Sequence, residues 1–546
     1  MRPKMTRLCA ALAGALLLLP IGSQAQSRPD LHRRALTHSG YIGGEKLIRS
    51  SISWLDDVAV DDDYSTVFVG STRAADLPVK NAYQPEPGGS MDAYLIKINQ
   101  DDEIVFATYL GWDETDYGQD VAIDPAGNIY VTGWTFGAFP DTTATPRPPC
   151  QYETQASYVA KFSPRGELVY SKCIDAERAY AVAGNAEGAA YVVGDTTPTA
   201  PGTSLGAGGG YDIFVYKLDP TGTTYEYRTF VGGPGVQGAF ELEIDETGAA
   251  YVVGSTTSEA FPLVNPADST KEGNTDGVIF KLASDGQSLE FSTYVGNRGN
   301  EDVNDLAIGD SGSVYAVGDD TPRDYDNPRA EAFYVHLSSD GSEFLERSSV
   351  SGNDTVKGSA LALAADDVYI SGWTTASDLP DRGGFQARKG GASDGYIAQI
   401  DRTSGTVVAT TYFGGSEGDS VSGLALDPGG DLVGVGSTSS SDLAVANAFQ
   451  SRLRGKGDGF FFRLTITGGS CTILGGGSHD KLFGSVGGDL ICSGPGDDRV
   501  LGRDGNDEIV GGKGDDVLRG SGGRDVIEGG PGRDRCAGEK ERRCET

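Results

Sequence analysis

Apolar and polar residues alternate with a period of two in short runs along most of the chain, and Gly, Pro, Asn and Asp break the runs apart. Asp120 to Asp124, Ile129 to Trp134, Tyr158 to Phe162 and Leu168 to Lys172 are four such runs, each of strand character. The first two are joined by Asp124-Pro125-Ala126-Gly127-Asn128, whose residues suit a tight hairpin. One phrase marks the second run of every group. It reads Val67-Phe68-Val69-Gly70, Tyr130-Val131-Thr132-Gly133, Tyr191-Val192-Val193-Gly194, Tyr251-Val252-Val253-Gly254, Tyr315-Ala316-Val317-Gly318, Tyr369-Ile370-Ser371-Gly372 and Leu432-Val433-Gly434-Val435-Gly436. The closing glycines are 63, 61, 60, 64, 54 and 64 residues apart, which makes seven copies of a four-strand module. Antiparallel four-strand units repeated radially form a propeller, whereas the repeats of a β-helix are shorter and its strands parallel. The fold expected is all-β: a seven-bladed β-propeller over 36–464, then a small parallel β-roll.

The seventh copy supplies Asp458 to Leu464 as a third strand and then enters a glycine-rich linker, 465–474, without a fourth. The missing strand is found at the other end of the chain, in 36–44, which reads like the fourth runs Phe106 to Gly111 and Phe291 to Gly296. This N-terminal strand is expected to complete the last blade and remove an open sheet edge.

The phrases Asp76-Leu77-Pro78 with Ala82-Tyr83-Gln84, Asp378-Leu379-Pro380 with Gly384-Phe385-Gln386, and Asp442-Leu443 with Ala448-Phe449-Gln450 resemble the bacterial β-propeller repeat known as SBBP. So do Asp276-Gly277-Val278-Ile279-Phe280-Lys281-Leu282 and Asp92-Ala93-Tyr94-Leu95-Ile96-Lys97. The fifth copy departs, with Glu331-Ala332 in place of Asp-Gly. The resemblance implies an exported propeller and names no reaction.

From Gly475 the period becomes nine. Units begin at Gly475, Gly484, Ser493, Gly502, Gly511, Gly520 and Gly529, with Asp480, Asp489, Asp498, Asp507, Asp516, Asp525 and Asp534 at the sixth position. The eighth position holds Leu482, Ile491, Val500, Ile509, Leu518, Ile527 and Cys536. A linker has no reason to keep an aliphatic residue at a fixed offset from every aspartate. Glycines allow left-handed backbone angles that turn carbonyls inward, and each aspartate adds a hard oxygen of the kind calcium takes. The pattern, over 475–537, resembles the repeats-in-toxin β-roll. That resemblance implies Ca²⁺ held by turn carbonyls and the seven aspartates. Two units make one coil, so pairing each turn with the one two units later gives 7 − 2 = 5 sites. Aspartates facing one another at a strand spacing of ~4.8 Å repel by roughly 3 kcal/mol per pair, so the roll needs its cation to fold. Ser478, Arg524, Arg533 and Cys536 depart from the pattern and mark the end units as caps, followed by a tail, 538–546.

Charge and cysteine count set the surroundings. Arg2, Lys4 and Arg7 precede an apolar run from Leu8 to Ile21, and Ser23-Gln24-Ala25 offers a cleavage site, so 1–25 reads as a secretory signal peptide. The run is shorter than the ~20 residues a bilayer crossing needs, and no other stretch approaches that length. Net charge is 44 − 78 = −34, which repels nucleic acid and anionic membrane surfaces. Six cysteines remain after Cys9, and proximity in sequence pairs Cys150 with Cys173, Cys471 with Cys492 and Cys536 with Cys544.

Catalytic motifs do not emerge. Gly309-Asp310-Ser311-Gly312 aligns with the hairpin turns of the other copies, and His32, His38, His336 and His479 are isolated in sequence. Asp92, Asp212, Asp276, Asp394 and Asp458 precede third strands and are expected to bond turn amides. Asp61-Asp62-Asp63 reads as a solvated turn, and Trp134 and Trp373 share one module position where a sugar could stack. The function expected is a secreted, extracellular, non-catalytic calcium-binding protein. Its propeller would bind an extracellular protein or glycan, with no nucleic acid partner and no membrane insertion. The alternative is a polysaccharide lyase or glycosidase with two carboxylates converging at the propeller axis.

Overall fold

A computed structural model describes residues 31, 34–46, 52–137, 139–143, 155–198, 201–206, 208–322, 329–380, 384–466, 471–477 and 479–544. The expected signal peptide, 1–25, lies outside the described residues. All named elements are strands, and no helix among the described residues is long and apolar enough to cross a membrane.

Six antiparallel sheets stand alone, spanning 53–110, 116–174, 178–231, 237–295, 300–350 and 356–413; the third carries a short fifth strand, Thr203–Leu205. The first strand of each sheet packs against the first strand of the next, and these inner strands surround a central channel. Second and third strands are buried on both faces, so they read as apolar runs, while the inner strands alternate.

Every inner strand carries a β-bulge at the same register, between Leu55 and Asp57, Gly118 and Asp120, Ala179 and Ala181, Ala239 and Glu241, Val303 and Asp305, Gly358 and Ala360, and Val421 and Gly423. The bulge explains the glycine that closes the repeated phrase. A Cβ on Gly70, Gly133, Gly194, Gly254, Gly318, Gly372 or Gly436 would sit 1.8–2.0 Å from an inner-strand carbonyl oxygen, that of Trp54, Tyr117, Arg178, Gly238, Asp302, Lys357 or Ser420 respectively.

The seven-blade expectation needs a correction. The seventh set of strands, Asp419–Leu426, Leu432–Thr438, Asp458–Ile466 and the N-terminal Arg34–Ile42, pairs antiparallel in that order and packs between the sixth and first sheets. It is not a separate blade, because it belongs to a fourteen-stranded sheet that continues into the C-terminal roll. The reason lies in the edge of Arg34–Ile42. Leu36 pairs in parallel with Ile473, Ser39 pairs with Ala446, and Val445–Ala446 in turn pairs with Lys481–Phe483. In the third sheet the outer strand pairs with the short Thr203–Leu205, and in the first and fourth it makes isolated bridges; here the roll takes that place.

The roll consists of two parallel ladders with an 18-residue step, as in Lys481↔Arg499 and Leu490↔Glu508. Ile473–Leu474 and Lys540–Arg542 are its first and last strands, so both the linker and the tail are shorter than 465–474 and 538–546. Leu482, Ile491, Val500, Ile509, Leu518 and Ile527 fill its interior and share one apolar cluster with Leu36, Tyr41 and Phe462 of the propeller. Disulfides join Cys471 to Cys492 and Cys536 to Cys544, across the first and last coils. Cys173 is also disulfide-bonded, and its expected partner Cys150 lies outside the described residues.

Removal of residues 26–45, which carry this strand, leaves the edges of Asp458–Ile466 and Ile473–Leu474 open at once. Light scattering behind size-exclusion chromatography is expected to find aggregates; an unchanged monomer would contradict the pairing.

Candidate metal centre and channel

From the third unit on, the second position of a roll unit takes a positive φ, +86° at Gly494, +99° at Gly512 and +104° at Gly530, which explains the glycine there. Ser521 adopts the same conformation, φ +84°, without being glycine, and so does Arg503, φ +73°. Its guanidinium donates to the carbonyls of Leu443 and Gly484 and lies 5.4 Å from the Phe483 ring, so the strained residue locks the roll to the propeller.

Those turns bring the seven aspartates into two columns. The Asp480 N–H donates to Asp498 Oδ1 at 2.8 Å, Asp489 to Asp507 at 2.9 Å, Asp498 to Asp516 at 2.8 Å, Asp507 to Asp525 at 3.1 Å and Asp516 to Asp534 at 3.0 Å. The column ends with Asp525 N–H donating to Glu539 Oε2 at 2.7 Å. All seven aspartates are at least 95% buried. The second carboxylate oxygens divide them. Asp480 Oδ2 accepts from Gly476 N–H at 2.7 Å, and Asp489 Oδ2 accepts from the Ser485 amide and hydroxyl at 2.7 and 3.1 Å. Oδ2 of Asp498, Asp507, Asp516, Asp525 and Asp534 is buried without any hydrogen-bond partner. An unpaired buried anionic oxygen is costly, and five recur in register.

Main-chain oxygens complete the cradle. A Cβ on Gly511 would lie 2.5 Å from the Gly529 carbonyl oxygen and 2.6 Å from Asp516 Oδ2; one on Gly502 would lie 2.2 Å from Asp507 Oδ2 and 2.8 Å from the Gly520 carbonyl oxygen. At Gly502 and Gly511 the first-position glycine therefore keeps a Cβ out of the gap between two oxygens. Ser493 occupies that position in the third unit, and its hydroxyl donates to the Gly511 carbonyl at 2.5 Å. Burial raises Asp507 to about 7, with Asp489 and Asp525 adding to the effect, and raises Asp516 to about 6. Among the described residues no three His, Cys, Asp or Glu side chains form a metal cluster, so a donor set in the roll must draw on carbonyls. The residues fit a hard divalent cation: orphaned carboxylate oxygens beside inward carbonyls. Asp525 and Asp534, which the flanking arginines had marked as caps, carry the same orphaned oxygen as the middle units, while Asp480 and Asp489 do not. Ser478 lies outside the described residues.

The propeller channel holds a second group that the sequence reading missed. Asp57, Asp120, Glu241 and Asp305 occupy one register on the inner strands, and each stands thirteen residues before the repeated glycine, at 70, 133, 254 and 318. That spacing was the available signal. Most of these carboxylates bridge blades. Asp57 Oδ2 accepts from Val121 N–H at 3.3 Å, Asp120 Oδ2 from Val182 at 2.6 Å, Asp305 Oδ2 from Leu361 at 2.5 Å and Glu243 Oε2 from Ile308 at 2.9 Å. Ser422 Oγ donates to the Leu55 carbonyl at 2.7 Å between the seventh and first sets. Burial lifts Asp57 well above the carboxylate range, with Asp120 reinforcing it, and lifts Asp305 to about 8.

The remaining candidates resolve locally. Gly309-Asp310-Ser311-Gly312 forms a hairpin turn, with Gly309 N–H donating to the Ser313 carbonyl at 2.8 Å. Asp92, Asp276, Asp394 and Asp458 each accept two turn amides, whereas both oxygens of Asp212 are buried without a hydrogen-bond partner and burial raises it to about 6. Asp61 pairs with Lys97 at 3.3 Å and so is more than a solvated turn residue. The histidines are not all isolated: His38 faces Asp102 at 3.0 Å, and His336 stacks on Tyr315 with centroids 4.1 Å apart. His479 Nδ1 accepts the Asp497 amide, and His32 lies outside the described residues. Trp134 belongs to a row of rings with Trp54, Tyr117, Tyr180 and Phe240, with successive centroids 5.1–6.3 Å apart.

Comparison with known proteins matches both halves. The RTX calcium-binding nonapeptide repeat matches 466–500 and 501–536, and the SBBP beta-propeller repeat matches 105–140, which runs from the last strand of one blade into the next. The chain thus carries a propeller with SBBP repeats and a roll of calcium-binding RTX repeats. No curated protein matches it. Solved structures similar to it include an acylaminoacyl peptidase in complex with Z-Gly-Gly-Phe-chloromethyl ketone (10% identity, TM-score 0.38, covering 72% of this chain and 51% of that one). A second is the acylaminoacyl peptidase of Pyrococcus horikoshii (10%, 0.38, 76% and 54%), and a third is the beta-propeller domain of the Trilobed protease from Pyrococcus furiosus (10%, 0.37, 71% and 90%). The chain spans about half the length of the two peptidases.

Glu243 allows a test of the channel electrostatics. Burial pushes it up to about 7, against the bond from Ile308 that lowers it. The folded state therefore holds an extra proton from about pH 4.5 to 7; stability falls as pH rises through that window and is level beyond it. Glu243→Gln keeps an acceptor and removes the titration. In saturating calcium its stability should match the parent's near pH 4.5 and exceed it by roughly 2–3 kcal/mol at pH 8; parallel melting curves across that range would contradict the assignment.

Proposed function

We propose that this is an exported, extracellular, non-catalytic protein in which a propeller for binding or scaffolding is held to a roll that sets when calcium binds. The observation that carries the reading is the set of five buried, partnerless Oδ2 atoms, of Asp498, Asp507, Asp516, Asp525 and Asp534. Each stands in a turn stacked 18 residues from its neighbour, and five is also the number of turn pairs that seven units allow. Asp480 and Asp489 lie at the roll's propeller-facing end, where Asp480 and Asp489 N–H groups donate across to the next turn and orient Asp498 and Asp507. Bound calcium would supply the positive charge these carboxylates lack. The aspartates and the carbonyls of Gly520 and Gly529 hold it, and the first-position glycines keep side chains out of the way. Calcium is scarce in cytosol and abundant outside, so the roll would set after export. Disulfides and an acidic surface agree with that location. The open face of the propeller is available to an extracellular protein or glycan.

A polysaccharide-acting enzyme would need two free carboxylates at the axis. Asp57, Asp120, Glu243 and Asp305 are committed to amides of the neighbouring blade, and the two channel acids that are not, Asp56 and Glu241, stand on the first and fourth sheets, three blades apart, which favours the structural role.

The test uses the intact chain, since the first roll strand pairs with the N-terminal strand. Calorimetric titration should give about five calcium ions per chain, with affinities on the order of 10⁻⁴–10⁻³ M. Asp516→Asn and Gly511→Ala should each lower the stoichiometry by at least about one site and reduce the calcium-dependent circular dichroism change, whereas Asp480→Asn should do less. No uptake at millimolar calcium would refute the reading.

A further inference from the structure

The channel is a cavity of about 590 Å³ at the waist of the propeller. Six carboxyl groups line it, those of Asp56, Asp57, Asp120, Glu241, Glu243 and Asp305, and no Lys, Arg or His does. Four of the six bridge neighbouring blades, as described above. Asp56 and Glu241 do not. Asp56 is the bulge residue of the first sheet; its carboxyl takes a side-chain hydrogen bond from Trp54, while its Oδ2 is shut away from solvent and has no partner. Glu241 follows the bulge of the fourth sheet, three blades round the ring, and its one hydrogen bond is from the adjacent Leu242 amide at 2.7 Å. The bulges that place them also place Tyr180 and Phe240 at the same waist, with ring centroids 6.1 Å apart. Aromatic faces and anionic oxygens attract cations; Arg178, whose guanidinium donates to Tyr180 Oη at 3.2 Å, is itself paired with Asp195 at 3.6 Å and does not line the cavity.

Geometry narrows the kind of cation. No three carboxylates among the described residues converge closely enough to hold a metal ion. The acids are instead spread over the first, second, fourth and fifth sheets, with aromatic surface between. A cation that carries its charges on separate atoms, joined by methylenes that can lie against Tyr180 and Phe240, suits that spread better than a point charge does. The cavity is within the ~300–1,000 Å³ usual for small-molecule sites.

We propose that the propeller channel binds an aliphatic polyamine, with Asp56 and Glu241 as the ion-pairing carboxylates and Phe240 packing on the methylene chain. This names a ligand for the propeller and shares no residue with the roll, so its failure leaves the calcium reading standing, and the reverse also holds.

The experiment is calorimetric titration of the intact, calcium-saturated protein with spermidine in 150 mM salt (about physiological), where exposed charges are largely screened. Expected is one site, weakened at least ~10-fold by Asp56→Asn, by Glu241→Gln and by Phe240→Ala, and unchanged by the surface variant Asp62→Asn. n-Butylamine, with one charge, should bind at least ~10-fold more weakly than spermidine. Equal weakening by the surface variant, many weak sites in place of one, or a neutral oligosaccharide binding where spermidine does not would overturn the proposal. Because Asp56→Asn changes a buried group, its melting temperature and calcium stoichiometry are measured alongside. A folded, calcium-binding D56N protein with undiminished spermidine affinity refutes the role of Asp56.

Discussion

An open strand edge is the constraint on which this architecture turns. A propeller removes the edges of its ring but leaves the outer strand of each blade with unpaired amides and carbonyls. Arg34–Ile42 is such a strand, and it is paired on both sides: inward with Asp458–Ile466, outward with Ile473–Leu474 and Val445–Ala446. The pairing ties the two chain ends together and gives the roll a finished surface to begin on. A roll of short coils otherwise has nothing to stack its first turn against, since each coil depends on its neighbours for hydrogen bonds. Continuity of the apolar cluster from Tyr41 and Phe462 through Ile473 to Ile527 follows from the shared sheet.

Buried carboxylates are the second recurring theme, handled in two ways. In the channel most are answered by amides that the bulges free on the next blade, so the acids serve as rivets between blades. In the roll the stacked turns provide one amide per aspartate and leave one oxygen of five aspartates with nothing. The two parts therefore stand differently without a cation. In the channel four of the six acids are satisfied by the neighbouring blade, whereas the roll leaves five in register with an orphaned oxygen, and its thin core of single aliphatic residues per strand has little with which to offset them.

Much of this was legible in the sequence. The module period and the nine-residue period follow from glycine and aspartate spacing, because both residues answer to backbone geometry that repeats with the fold. The glycine of the repeated phrase could be seen but not explained, since its cause, an inner-strand carbonyl about 2 Å from where a Cβ would be, belongs to the neighbouring strand. The merger of the last blade with the roll was hidden for the same reason: it is made by backbone edges, which carry no residue signature. Strand boundaries at Ile473–Leu474 and Lys540–Arg542 were missed because short parallel strands lack alternation. The division of the aspartates was also out of reach. Ser485 looks like an ordinary substitution for glycine, yet its hydroxyl and amide satisfy Asp489 Oδ2, while Oδ2 of Asp525 and of Asp534 stays without a partner despite the neighbouring arginines in sequence.

The central claim is that cations occupy the gaps beside the orphaned aspartate oxygens, and anomalous X-ray scattering from crystals grown in calcium locates them directly. The account predicts five peaks in two columns, one beside each of Asp498, Asp507, Asp516, Asp525 and Asp534 Oδ2. A folded roll with no peak in those gaps would contradict it.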